Sequence, residues 1–143
     1  MKFGTLCSVS AVALSAFIGA ATAHADPRGL WVAQDGAKVR VTSCGKGMCG
    51  KIAVAKSPTN PDTGQPWTDK DNPDPALRSR PVVGIEVFIS MMPDGPGKWT
   101  GELYNINGGQ TVPGHLYDVD AKTLRVEGCA GSLCGHQELT RLE

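Results

Sequence analysis

From Gly29 onward, apolar and polar residues alternate in short runs, each closed by a turn signal, and no stretch keeps the spacing of an amphipathic helix. Asp35-Gly36 separates a run over residues 29–34 from one over 37–44, and a second small-residue turn leads into 49–56. After a long interruption, residues 82–92 carry Val83, Ile85, Val87, Ile89 and Met91 on one face. Pro93-Asp94-Gly95-Pro96-Gly97 turns the chain into 98–105, where Trp99 and Leu103 alternate with Lys98, Thr100 and Glu102. Asn107-Gly108-Gly109 is a hairpin signal before 110–119, whose inward face is left ambiguous by Pro113. Asp120-Ala121 leads into 122–129, and residues 134–142 end the chain. The pattern predicts an all-β fold: eight antiparallel strands in an up-and-down barrel, with one long loop over 57–81. An eight-stranded barrel removes its own edges, and its interior is either filled by side chains or holds one small ligand. A sandwich is the competing architecture, but it needs longer crossovers than these turns supply.

The first 25 residues have a different pattern. Lys2 precedes an apolar run over residues 9–21 that contains only two serines, and Ala23-His24-Ala25 follows with small residues at the first and third positions. The run is shorter than the ~20 residues of a membrane span. Residues 1–25 are therefore read as a signal peptide cleaved after Ala25, and residues 26–143 as a single barrel domain. Cys7 lies before the apolar run and is left out of the fold. No later segment is apolar enough to span a bilayer, which leaves an exported protein of a bacterial periplasm or the extracellular space. The whole chain carries 14 basic and 14 acidic side chains, and residues 26–143 carry 13 and 14. That balance, with no basic cluster, argues against nucleic acid as a partner.

Four cysteines remain: Cys44, Cys49, Cys129 and Cys134. An even count in an exported domain predicts disulfides, with three connectivities open. Zinc is a poor alternative, because both spacings are C-x4-C and no histidine pair stands at ligand spacing. Setting Cys44 opposite Cys49 places Val41 opposite Ile52 and Val39 opposite Val54. Setting Cys129 opposite Cys134 places Glu127 against His136, Arg125 against Glu138 and Leu124 against Leu139. Apolar pairs then share one face and complementary polar pairs the other. Loop entropy would favour a Cys44–Cys129 bridge, but the agreement of two registers favours local pairing.

The segment 57–81 holds six prolines and four aspartates in 25 residues, with Trp67, Arg78 and Arg80. A connection this long in a compact domain is usually functional or disordered. Asp74-Pro75 has the form of a helix cap followed by proline, which predicts a short helical turn. The aspartate spacing misses the calcium-loop pattern and puts Pro73 at a ligand position, so no metal is assigned. Arg78 and Arg80 offer guanidinium forks for a carboxylate or phosphate; the plainer expectation is that at least one pairs with Asp71 or Asp74 and pins the loop.

The order Gly29-Leu30-Trp31, Cys44-x4-Cys49-Gly50, Asn72-Pro73-Asp74-Pro75-Ala76-Leu77-Arg78-Ser79-Arg80-Pro81, Gly84 and the Cys129-x4-Cys134 hairpin resembles a bacterial exported family, domain of unknown function 2147. The resemblance covers essentially all of residues 26–143. It implies a lipocalin-like, calycin-type barrel in which Gly29-x-Trp31 is similar to the first-strand lipocalin signature, with Trp31 closing the barrel base. The family carries no established activity, so the resemblance supplies no catalytic residue. The residues themselves show no G-x-S-x-G motif and no spare cysteine, and the only histidines after residue 25 are His115 and His136. No catalytic residue and no cofactor is assigned. The favoured function is non-catalytic binding of a small apolar or amphipathic molecule. Trp67 would cover it, Arg78 or Arg80 would clamp an anionic group, Asp74 would fix the turn presenting them, and Val87, Trp99 and Leu103 would line the interior. The alternative is an envelope protein-interaction or inhibitor module docking through loop 57–81. Oligomeric state is not legible in the sequence.

Overall fold

The computed structural model describes residue 19 and residues 24–143. The segment read as a signal peptide, apart from Gly19, His24 and Ala25, lies outside the described residues, as does Cys7. The strands are β1 (Gly29–Val32), β2 (Lys38–Cys44), β3 (Gly47–Val54), β4 (Glu86–Pro93), β5 (Lys98–Asn105), β6 (Gln110–Asp120), β7 (Thr123–Ala130) and β8 (Leu133–Arg141). They pair antiparallel in sequence order and close as a barrel, as the turn rhythm predicts. Among the described residues the helical structure is one 3-10 turn, Pro75–Leu77, where the Asp74 side chain accepts from the Ala76 N–H at 2.9 Å.

Turn chemistry decides the two cysteine hairpins. Each has a two-residue turn with glycine at its first central position, Gly45 at φ +58° and Gly131 at φ +64°, where a side chain would be strained. In the second hairpin Cys129 lies opposite Cys134, and the expected partners of Arg125 and Glu127 are found. The first hairpin departs from expectation by two residues. Gly45 lies directly after Cys44, so Cys44 pairs with Gly47 and Thr42 with Cys49, while Val39 faces Ile52. A slip of two preserves the inward face, and the bridge becomes diagonal. Both local pairs stand at disulfide distance, with Cα–Cα separations of 5.7 and 4.0 Å.

β4 differs more. It begins at Glu86 instead of residue 82, because residues 82–85 form a turn in which the Ile85 N–H bonds the Val82 carbonyl. Val83 is consequently exposed and does not join an inward face. The register with β3 slips between Gly50 and Lys51, so Val87 is an extra residue and both Val87 and Phe88 turn inward. Gly50 makes room, since a Cβ there would overlap the Phe88 ring. A second irregularity at Ser90, φ +48°, restores Met91 to the interior. Ile85 and Ile89 instead lie outside the barrel, against the long loop. In β6 the inward positions are Val112, Gly114 and Leu116. Pro113 falls just beyond the last β6–β7 pair, where its missing N–H leaves no gap in that ladder.

The core sits toward one end. Trp31, Val41, Met91, Leu116, Leu124 and Leu139 are all fully enclosed. The Trp31 indole donates to the Pro27 carbonyl at 2.8 Å, and the Arg141 guanidinium lies 4.2 Å above its ring. Arg141 also bonds the carbonyls of Asp26, Arg28 and Ala121, so the chain before β1 is tied across the base.

Two outcomes are expected. Trp31→Ala should lose about 3–5 kcal/mol, as large aromatic truncations in cores do, measured by urea unfolding. Non-reducing peptide mapping should return only the two local bridges. Replacing Cys44 and Cys49 together by serine should remove only about 2 kcal/mol, because the closed ring is short.

Candidate functional site

The end opposite Trp31 is open. A cavity of about 780 Å³ descends from it, ringed by the β1–β2 turn, the start and middle of the long loop, the β5–β6 turn and the β7–β8 turn. Its wall is apolar at depth, with Val39, Ile52, Phe88, Leu103, Val126 and Leu139, and polar at the rim, with Lys56, Lys70, Asp71, Asn107 and His136. Two features make the space. Gly128 and Gly135 face each other across β7 and β8, where a larger pair would fill it. Gln137, opposite Val126, brings an amide into the wall.

The long loop is built around one buried carboxylate. Asp69 is fully enclosed and accepts from the Tyr104 hydroxyl (2.6 Å), Asn72 Nδ2 (2.8 Å) and Arg80 Nε (2.9 Å), with Arg80 Nη2 at 2.8 Å. Its own N–H bonds the Arg80 carbonyl, and Thr68 bridges Pro81, so the two limbs of the loop are zipped together. Burial pushes the Asp69 carboxyl up, but hydrogen bonds from Tyr104, Asn72 and Arg80 outweigh it and hold the group below the usual aspartate range. The Tyr104 hydroxyl is raised, first by burial and then by its bond to Asp69. Gly109, at φ +63°, completes the seat: a Cβ there would overlap the Asp71 carbonyl.

Of the residues expected to bind, Trp67, Val87 and Leu103 line the cavity. Trp67 is anchored by its indole N–H to Ser57 Oγ (2.9 Å) and carries Lys56 Nζ 4.2 Å above its ring. Asp74, Arg78, Arg80 and Trp99 are not in the wall. Asp74 caps its turn, and Arg78 Nε donates to the Asn72 carbonyl at 2.8 Å. The Arg80 guanidinium is held by Asp69, not by Asp71 or Asp74. Trp99 pairs with Leu116 and Pro93 toward the base. Both arginines thus make loop-pinning contacts: Arg80 supplies the cation that a buried carboxylate needs beside it, and Arg78 ties the Asn72 carbonyl. The rim cations are Lys56 and Lys70, and Lys70 Nζ is engaged by Asp71 at 3.0 Å. Sequence reasoning missed Lys56, Phe88, Tyr104 and Gln137. Strict alternation would have found Gln137, but Phe88 needed the bulge and Tyr104 needed the loop's path. His115, whose Nδ1 lies 3.0 Å from Thr100 Oγ1, is on the outer wall away from the cavity, and Thr100 in turn donates to Asp94. Among the described residues no three His, Cys, Asp or Glu side chains gather as a metal site.

The Asp69 contacts have a pH signature. A carboxyl held below its unfolded value stabilises the fold at neutral pH, and that contribution is lost as the pH falls through its folded value. Asp69→Asn should therefore lose about 2 kcal/mol at pH 7, and its deficit relative to the parent should shrink in acid. Urea unfolding at neutral and acidic pH checks both.

No curated protein matches this chain. Among solved structures, one described as "Protein HP1028 from the human pathogen Helicobacter pylori belongs to the lipocalin family" is similar, with a TM-score of 0.70 and 18% identity, covering 83% of this chain and 84% of that one. At that identity the likeness is one of fold, and it agrees with an eight-stranded closed barrel. The family model described as "Uncharacterized protein conserved in bacteria (DUF2147)" matches residues 29–141, and the chain belongs to that family.

Proposed function

We propose that this protein is exported and that its barrel is a non-catalytic binder of one small apolar or amphipathic molecule. The observation that carries the reading is the cavity: about 780 Å³, open at one end, apolar at depth and polar at the rim. That volume and polarity suit a small ligand enclosed by its tail and oriented by its head. The similar lipocalin-family structure supports the same reading at the level of fold. Export is supported by the pattern of residues 1–25 and by two cysteine pairs at disulfide distance, which persist in oxidising compartments. The pinned loop weighs against the inhibitor alternative, since Asp69, Arg78 and Arg80 are engaged within the domain.

Decanoate is a suitable probe, with an apolar tail for the wall and a carboxylate for Lys56. It should raise the melting temperature and change tryptophan emission. Of the three tryptophans only Trp67 lines the cavity, so Trp67→Phe should abolish the emission change while leaving the thermal shift. Lys56→Met should weaken decanoate about threefold, the worth of an exposed ion pair, and leave decanol unaffected. Native mass spectrometry of freshly purified protein and this titration check the reading; no response to either probe would refute it.

A further inference from the structure

Among the described residues, β8 has a strand partner along nearly its full length on one side only. Against β7 the pairing runs from Thr123 with Thr140 to Ala130 with Leu133; against β1 it comprises Trp31 with Arg141 and Val32 with Thr140. Among the described residues no other backbone hydrogen bond reaches residues 133–138. An antiparallel strand sends its N–H and C=O groups alternately to both sides, so those directed away from β7 here have no ladder partner. Free edges are normally blunted by Lys, Pro, a bulge or a covering segment. Residues 133–138 are Leu-Cys-Gly-His-Gln-Glu, their pairing with β7 is unbroken, and Leu133 is 78% exposed. A Cβ at Gly135 would meet nothing within 4 Å.

This edge borders the binding cavity. Leu133, Gly135 and Gln137 line it, as do Ala33, Asp35, Ala37 and Lys56. A strand laid on β8 would continue the sheet and send every second side chain into the apolar interior. A lipid has no amide ladder to offer this edge. A second copy of the barrel fits poorly: antiparallel self-pairing about His136 would set the Cys134 bridge against Glu138. Lys56 has no carboxylate partner among the described residues, which suits a ligand ending in a carboxylate.

We propose that, beyond a small molecule, the same cavity takes the side chains of an extended peptide, alternately apolar and ending in a free carboxylate, which adds as a strand to the 133–138 edge of β8. The inference rests on the cavity being a binding site. It is tested with a pool of heptapeptides alternating Val, Leu or Phe with Thr or Ser, offered with a free C-terminus, with an amidated C-terminus, and N-methylated at every second residue. Backbone hydrogen exchange is followed by NMR, with decanoate in parallel. The free-carboxylate pool should protect alternate amides within 133–138, the amidated pool should protect them less, and the N-methylated pool should not protect them. Leu133→Lys should weaken the peptide about tenfold, as loss of one buried apolar side chain predicts. If decanoate binds and no peptide protects the edge, the peptide inference falls and the small-molecule reading stands. Protection that grows with protein concentration alone, with a dimer in sedimentation, assigns the edge to a second copy and also overturns it. If neither decanoate nor peptide binds, the cavity reading fails and this inference fails with it.

Discussion

The barrel depends on the seam between its first and last strands, where Trp31 pairs with Arg141 and Val32 with Thr140. Two residue pairs are a short closure for a sheet whose other neighbours share longer registers. What makes it sufficient is the base beneath it. The Trp31 ring is enclosed, its indole N–H is satisfied by Pro27, and Arg141 covers the ring while tying carbonyls of two separate segments, Asp26 and Arg28 before β1 and Ala121 in the β6–β7 turn. A planar guanidinium can lie flat on a ring while its in-plane N–H groups donate outward, a geometry that a tetrahedral ammonium lacks. Because β1 is only four residues long, this anchoring is concentrated at one end.

The same constraint shapes the other end. With β1 finished at Val32, the upper part of β8 has no second strand to pair with among the described residues, and the interior near it is lined by residues too small to fill it, Gly128, Ala130 and Gly135. Space, polarity and an unpaired edge therefore occur together because the seam is short. The long loop narrows that opening without sealing it. Its rigidity comes from a polar nucleus in which Asp69 exchanges water for a tyrosine, an asparagine and an arginine. Such a nucleus is stable only when every partner is present, since a lone carboxylate out of water costs several kcal/mol. Trp67 is thereby set against the cavity, with its indole N–H satisfied and its face toward Lys56.

What the chain alone determined is the strand count, the sequence-order topology and the local cysteine pairs. Each rests on short-range physics: period-2 alternation, turn signals between the runs, and the cross-strand pairing that a short loop imposes on its neighbours. The register of the second hairpin was legible because charges and shapes oppose each other directly. The first slipped by two because its loop offers glycine at two places, and only the turn geometry selects Gly45.

Tertiary structure decided the rest. Whether Phe88 or Ile89 faces inward depends on an extra residue at Val87 and on the space left by Gly50 on a neighbouring strand. Which of four aspartates becomes the buried one depends on where Arg80 and Tyr104 meet it, 11 and 35 residues further along the chain. Trp99 alternates correctly on its strand, yet lies toward the base because inward position says nothing about height along the barrel. Depth, buried charge and the open edge of β8 all arise between elements distant in sequence, and local periodicity carries no information about them.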